Sequence, residues 1–168
     1  MSGKRVDIIK GRACAFLDLA RELINRRPDS SFSVHQAHQL RIKASLLRLT
    51  GEVPRLHGIR ELLGMLARKL EDLGLKEDAL RIADFVRRRR DALIDIEAAY
   101  IESRYGAGPI AKGIVEEMLG VAEELFKLLD EAVDRYGLPA DYPVELHIQD
   151  KEACNKILRH GKAIKVRM

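Results

Sequence analysis

The sequence predicts an all-α fold: a five-helix bundle over residues 1–137, followed by a small C-terminal β-α-β appendage over residues 138–168. Three observations carry this prediction. Apolar residues recur at helical spacing through five successive segments. Each segment breaks at a glycine or proline: Pro28, Gly51, Gly74, the run Gly106-Ala107-Gly108-Pro109, and Gly137-Leu138-Pro139. Beyond that last stop the period changes to two, in Val144-Glu145-Leu146-His147-Ile148, as in a half-buried strand.

The first helix is expected from about Val6 to Arg26, with Ile9, Ala13, Phe16, Ala20 and Leu23 on one face and Pro28 as its stop. The second runs from about Val34 to Thr50. Ser33 is its expected N-cap, with Gln36 completing a capping box. It carries two apolar stripes. Ala37, Leu40, Ala44 and Leu47 form one, and His38, Ile42, Leu46 and Leu49 the other, with Arg41 and Arg48 between them. A helix contacted from two sides is central to its bundle or lies at an oligomer interface. Ile59, Leu62, Leu63, Leu66, Leu70 and Leu73 make the third helix, closed by Gly74.

The fourth helix is expected to be one rod from Lys76 to Tyr105, about 45 Å long at ~1.5 Å per residue, because no glycine or proline interrupts it. Ile82, Val86, Leu93 and Tyr100 fall on its apolar side, with Asp84, Asp91, Asp95 and Glu102 opposite. Glu97 and Arg104 lie inside the apolar stripe. Ionised groups rarely bury unpaired, so that face needs a charged partner, a ligand or a wet cleft. The fifth helix runs from about Ile110 to Tyr136 along Ile114, Met118, Val121, Leu125, Leu128, Leu129, Ala132 and Val133. In the tail, Asp150 is positioned to cap a short helix to about Arg159, and Ala163-Ile164-Lys165-Val166 reads as a second strand.

Composition narrows the function classes. Apolar residues are 46 % and charged residues 33 % of the chain, which excludes a disordered polar chain. The net charge of +4 permits nucleic-acid contact without arguing for it, since both signs mix through every helix. Cys14 and Cys154 read as reduced core thiols. No apolar run reaches membrane length, and no signal-peptide core follows the start, so a cytoplasmic location is expected. Few Asn and Gln beside many Arg and Glu is a heat-adapted bias.

Three stretches together resemble the core of HEPN-domain proteins. They are Val34-His35-Gln36-Ala37-His38-Gln39-Leu40 with Lys43-Ala44-Ser45-Leu46-Leu47, then Gly51 through Leu63, and Ala99-Tyr100-Ile101-Glu102-Ser103-Arg104-Tyr105-Gly106. The last looks like the family's aromatic, two residues, small residue, Arg-Tyr ending of a long helix. The resemblance covers about Asp7 to Tyr136. It implies an up-and-down helical bundle of a kind that commonly dimerises, often works beside or fused to a minimal nucleotidyltransferase, and in some branches is a ribonuclease toxin.

In the ribonuclease branch an Arg is followed by four to six residues and then a His, so the Arg stands five to seven positions before the His. No Arg stands at those positions before His35, His38, His57, His147 or His160, so the sequence departs from that pattern. Pro143 to Ile148 looks like a terminal strand of the associated nucleotidyltransferases, but the Gly-Ser turn and Asp-x-Asp pair that hold Mg²⁺ and a triphosphate are missing.

Other residues read two ways. The run Arg87 to Arg90 is either a phosphate patch or a solvated run with acidic neighbours, because four successive helical residues point in four directions. His57 and Arg60, three apart, suit a phosphate; His57 also fits a structural role. His35 and His38, three apart, suit a metal, but no third ligand stands nearby.

The first expectation is a non-catalytic module that binds a nucleotide or another phosphorylated ligand, or presents substrate to a nucleotidyltransferase. Its cleft residues would be Arg41, His57, Arg60, Glu97, Tyr100 and Arg104, with no metal and no cofactor. The alternatives are a metal-independent ribonuclease or its decayed relative, with RNA as substrate, and a purely structural homodimer whose inward charges fix the interface.

Overall fold

The computed structural model describes residues 2–136. Among them are six helices and no strand: α1 (Ser2–Glu22), α2 (Arg27–Thr50), α3 (Ile59–Asp72), α4 (Lys76–Arg88), α5 (Arg90–Tyr105) and α6 (Lys112–Ala132). The expected appendage over 138–168 lies outside the described residues, as do His147, Cys154 and His160.

The all-α prediction holds, with two corrections to the elements. α2 starts at Arg27, seven residues before the expected Val34. Pro28 occupies its first turn, where its missing N–H would have no helical partner anyway. Ser33 is therefore no N-cap; inside the helix its hydroxyl donates to the Asp29 carbonyl at 2.9 Å. Ser30 turns instead to α1 and donates to the Ala20 carbonyl at 2.7 Å, tying the two helices together at their junction.

The expected 30-residue rod is broken at Arg89, whose φ of −106° and ψ of 17° leave the helical region. The buried faces explain the break. Ile82 and Phe85 bury in α4, and Ala92, Leu93, Ile96 and Ala99 bury in α5. Arg89 falls at the register position between the two sets, where a straight helix would bury it. The turn opens there instead, and the half-exposed guanidinium bonds Glu124 of α6 at 2.8 Å through Nε. α4 packs with α3, while α5 lies along α2.

α2 is the centre of the bundle and touches α1, α3, α5 and α6. Its two stripes are both answered within the chain. Ala13 and Ala20 of α1 and Ala37 and Ala44 of α2 are fully buried small residues, letting these helices approach closely. On the other side Val34, Ile42, Leu46 and Leu49 join Ile59, Leu62, Leu63, Leu66, Leu93 and Ile96 in the main core. Gly51 (φ 80°) stops α2 in the left-handed conformation that glycine adopts without strain.

Four charged side chains lie between α1, α2 and α6. Lys10 Nζ meets Asp134 at 2.5 Å and Asp130 at 3.2 Å, and Arg41 meets the same two carboxylates at 2.7 and 2.9 Å. Arg41 also donates to Ser45 Oγ at 2.9 Å. Beside this cluster, Arg48 donates to the Asp134 and Tyr136 carbonyls, both at 3.0 Å, supplying donors to the end of α6. Asp78, in the first turn of α4, accepts from Arg135 at 2.5 Å and from the Tyr136 hydroxyl. The end of α6 is thus fixed by both α2 and α4.

Cys14 is buried in α1, and Cys154, the other cysteine, lies outside the described residues. Among the described residues no helix is long and apolar enough to cross a membrane.

Candidate functional site

The site forms where the first half of α2 meets the start of α3 and the last turns of α5. α2 contributes Phe32 and His35, which contact α5, together with the buried His38 and with Gln39, which reaches His57 before α3. Tyr100 of α5 stacks on His35, with ring centroids 3.8 Å apart and 13° between planes. Phe32 stacks against Tyr100 at 5.8 Å. The three rings form a short aromatic ladder, favourable as an offset stack.

Arg104 lies one helical turn after Tyr100. Its guanidinium donates to the Tyr100 hydroxyl at 2.8 Å and lies 5.6 Å from the Tyr100 ring centroid and 5.1 Å from that of Tyr105. The bond from Tyr100 and the two nearby rings raise the Arg104 pKa above its ordinary value. No carboxylate pairs with this exposed cation among the described residues.

Glu97 meets Arg60 across 37 residues of sequence. One carboxylate oxygen accepts the Arg60 backbone N–H at 3.1 Å, and the other accepts Nε at 2.9 Å and lies 2.8 Å from a terminal guanidinium nitrogen. That backbone N–H belongs to the first turn of α3, where it has no intrahelical partner, so Glu97 caps α3 from another helix. Its charge also sits at the positive end of that helix.

His57 lies in the connection between α2 and α3, one residue before the α3 N-cap Gly58. The Gln39 amide donates to its Nδ1 at 3.0 Å and to its backbone carbonyl at 3.2 Å, pinning the segment to α2. The ring itself is exposed.

The two α2 histidines are buried and uncharged at neutral pH. Burial pushes the His35 pKa down to about 4, helped by repulsion from His38 and His57. Burial also lowers His38 to about 4 against the opposing bond to Val34. Since a carbonyl only accepts, His38 Nδ1 donates to the Val34 oxygen, at 2.9 Å, and Nε2 is left as a bare acceptor. His38 Nε2 and His35 Nδ1 are buried without a hydrogen-bond partner. No group of three or more His, Cys, Asp or Glu side chains among the described residues is arranged to hold a metal ion.

Five of the six sequence-predicted residues, His57, Arg60, Glu97, Tyr100 and Arg104, fall in this region. Arg41 does not join them. Its guanidinium is 1 % exposed and points to Asp130 and Asp134 of α6. Sequence reading missed the roles of Phe32 and Gln39, and treated His35 only as half of a metal pair. The available signal was the spacing of Phe32, His35 and Gln39 along one helical face. The arginine run is divided: Arg87 and Arg88 pair with Asp84, and Arg88 and Arg89 with Glu124. It is therefore no single phosphate patch.

At the end of α5 the Glu102 carboxylate accepts the Gly108 N–H at 2.7 Å and folds over Gly106, where a Cβ would fall onto it. This shapes the chain turn beside Arg104.

The family model of the HEPN domain matches residues 7–133, so it covers every residue of this site. No curated protein and no solved structure matches the chain. The matched span runs from within α1 through the end of α6 and takes in nearly all of the helical bundle, and the chain belongs to the HEPN-domain family.

Proposed function

We propose that this chain is a non-catalytic HEPN module that binds a nucleotide or another phosphorylated ligand beside the last turns of α5. One observation carries the reading: Arg104 is exposed, oriented by the Tyr100 hydroxyl, and answered by no carboxylate among the described residues, whereas Arg60 is neutralised by Glu97. A guanidinium held in this way presents a fork of donors to phosphate oxygens. The exposed Tyr105 ring beside it offers a face for a base to stack on. His57, exposed and fixed by Gln39, supplies a second polar group.

Titration of the full chain with ATP and with AMP, followed by calorimetry, tests this. Binding of either that weakens about tenfold or more in Arg104→Ala, with the melting temperature unchanged, supports it. Undiminished binding in that variant refutes it.

A second reading, a metal-independent ribonuclease, is favoured by one contact. The Arg–His proximity missing from linear spacing is approximated in space, because Tyr100 bonds Arg104 and stacks on neutral His35. Cleavage of a single-stranded RNA pool by the wild type, lost in both Arg104→Ala and His35→Ala, would favour it over the binding module.

A further inference from the structure

The connection between α2 and α3, residues 51–58, doubles back along α2. Near its far end Gln39 bonds both the ring and the carbonyl of His57. From Gln39 to Gly51 the helix rises about 18 Å at ~1.5 Å per residue. The chain from Gly51 to His57 can span about 20 Å at ~3.3 Å per residue, so it returns in a nearly extended path. On the way Val53 packs against the cluster of Val6, Ala44 and Leu47, and Leu56 packs on the main core. Gln39, Lys43 and Leu47 follow one another at intervals of four along one face of α2. Lys43 is therefore the helical residue that the stretch Pro54-Arg55-Leu56 crosses.

Lys43 is 8 % exposed and has no hydrogen bond or ion pair among the described residues. The other buried Lys and Arg side chains are answered: Lys10 and Arg41 by Asp130 and Asp134, and Arg48 by two carbonyls. A buried ammonium without a counter-charge is unfavourable, and burial holds the Lys43 pKa below its ordinary value. Two further basic groups stand on the connection itself. Arg55 is exposed and forms no ion pair among the described residues. His57 accepts from Gln39 at Nδ1, so in the neutral ring Nε2 carries the proton and is a donor. Glu52 and Glu61, at either end of the connection, are exposed and pair with none of the three among the described residues.

We propose that Lys43, Arg55 and His57 form an anion subsite along the 51–58 connection, which takes a phosphoryl group as the counter-charge that Lys43 lacks within the bundle. Glu97 bonds the start of α3 beside His57, and Arg104 follows it at about 10 Å along α5, at ~1.5 Å per residue. The subsite is thus distinct from the Arg104 guanidinium. Its phosphoryl group comes either from a free phosphate or from the far end of a ligand already held at Arg104; only the second source rests on the reading above.

Calorimetry on the full chain with pyrophosphate, AMP and ATP tests the proposal, using wild type, Lys43→Met, Arg55→Ala and Arg104→Ala. Pyrophosphate binding that falls about tenfold or more in Lys43→Met and severalfold in Arg55→Ala, but not in Arg104→Ala, supports a free anion as occupant. ATP binding that weakens in Lys43→Met while AMP binding does not supports the far phosphates of a nucleotide. Without ligand, Lys43→Met should melt at or above the wild-type temperature, because an apolar chain of similar length replaces an unpaired cation. Lys43→Met and Arg55→Ala that bind pyrophosphate and ATP as tightly as the wild type overturn the proposal, as does a wild type that binds neither. If Lys43→Met fails to fold, the exposed Arg55 decides: undiminished binding of both probes in Arg55→Ala overturns it. Losses in Lys43→Met and Arg55→Ala beside an unaffected Arg104→Ala would refute the Arg104 site and leave this subsite standing.

Discussion

Glu97 of α5 grips both the backbone and the side chain of Arg60 at the first turn of α3. The acidic residue inside an apolar stripe is explained by this contact, which supplies a cap, a favourable charge for the helix dipole and an ion pair together. Glu97→Ala should cost about 1–2 kcal/mol. Arg60→Ala should cost less, because the capping bond to the backbone N–H survives. Urea unfolding of both variants checks the order; equal losses would mean the cap contributes nothing.

Arg41 is expected to behave differently from Arg104, although both were read from the sequence as cleft residues. Removing the Arg41 guanidinium leaves Lys10 alone against Asp130 and Asp134 in a nearly dry interior. Breaking a buried charge cluster from one side costs about 3–5 kcal/mol. Arg104→Ala, on an exposed side chain, should stay within about 0.5 kcal/mol of wild type. Thermal melts separate the two cases, and a mild effect of Arg41→Ala would contradict its assignment to the helix-packing network.

Stability should fall in acid in two stages. His35 and His38 titrate near 4 in the folded chain and near 6.5 when unfolded, so between those values only the unfolded chain takes up their protons. Folded stability is therefore full above about pH 6.5 and declines by roughly 1.4 kcal/mol per pH unit for each histidine on the way to pH 4. His38→Gln should remove about half of that slope, measured by denaturant unfolding at pH 7, 6 and 5.

The second stage involves Asp134. Burial alone would raise its carboxyl, but Arg41 and Lys10 outweigh burial and hold its pKa below the ordinary carboxylate value. Its contribution is present above about pH 4 and is lost as pH falls through the lowered folded value. Asp134→Asn should be less stable than wild type at pH 7, with the difference shrinking toward pH 2.

Local pattern made much of the fold legible. Ile59, Leu62, Leu63, Leu66 and Leu70 are all buried in α3, and Gly51 and Gly74 both take the positive φ of a stop. Sequence reading failed where one residue type serves two purposes. Pro28 reads as a terminator but fits the first turn of a helix. Arg89 looks like any good helix former, and only packing against α6 makes it the break between two helices. The site was half legible. Glu97 announced a charged partner, but that partner stands 37 residues away and no local rule names it. Arg41 looked like a cleft residue for the same reason; the carboxylates that hold it lie 89 and 93 residues further on.

Arg104 carries the functional reading, so the most direct measurement is the affinity of the full chain for ATP and AMP by calorimetry, wild type against Arg104→Ala. The expected result is measurable binding that falls about tenfold or more in the variant while the melting temperature stays unchanged. Binding that is equal in the two proteins, or absent from the wild type for both nucleotides, would contradict a phosphate site at the Tyr100–Arg104 end of α5.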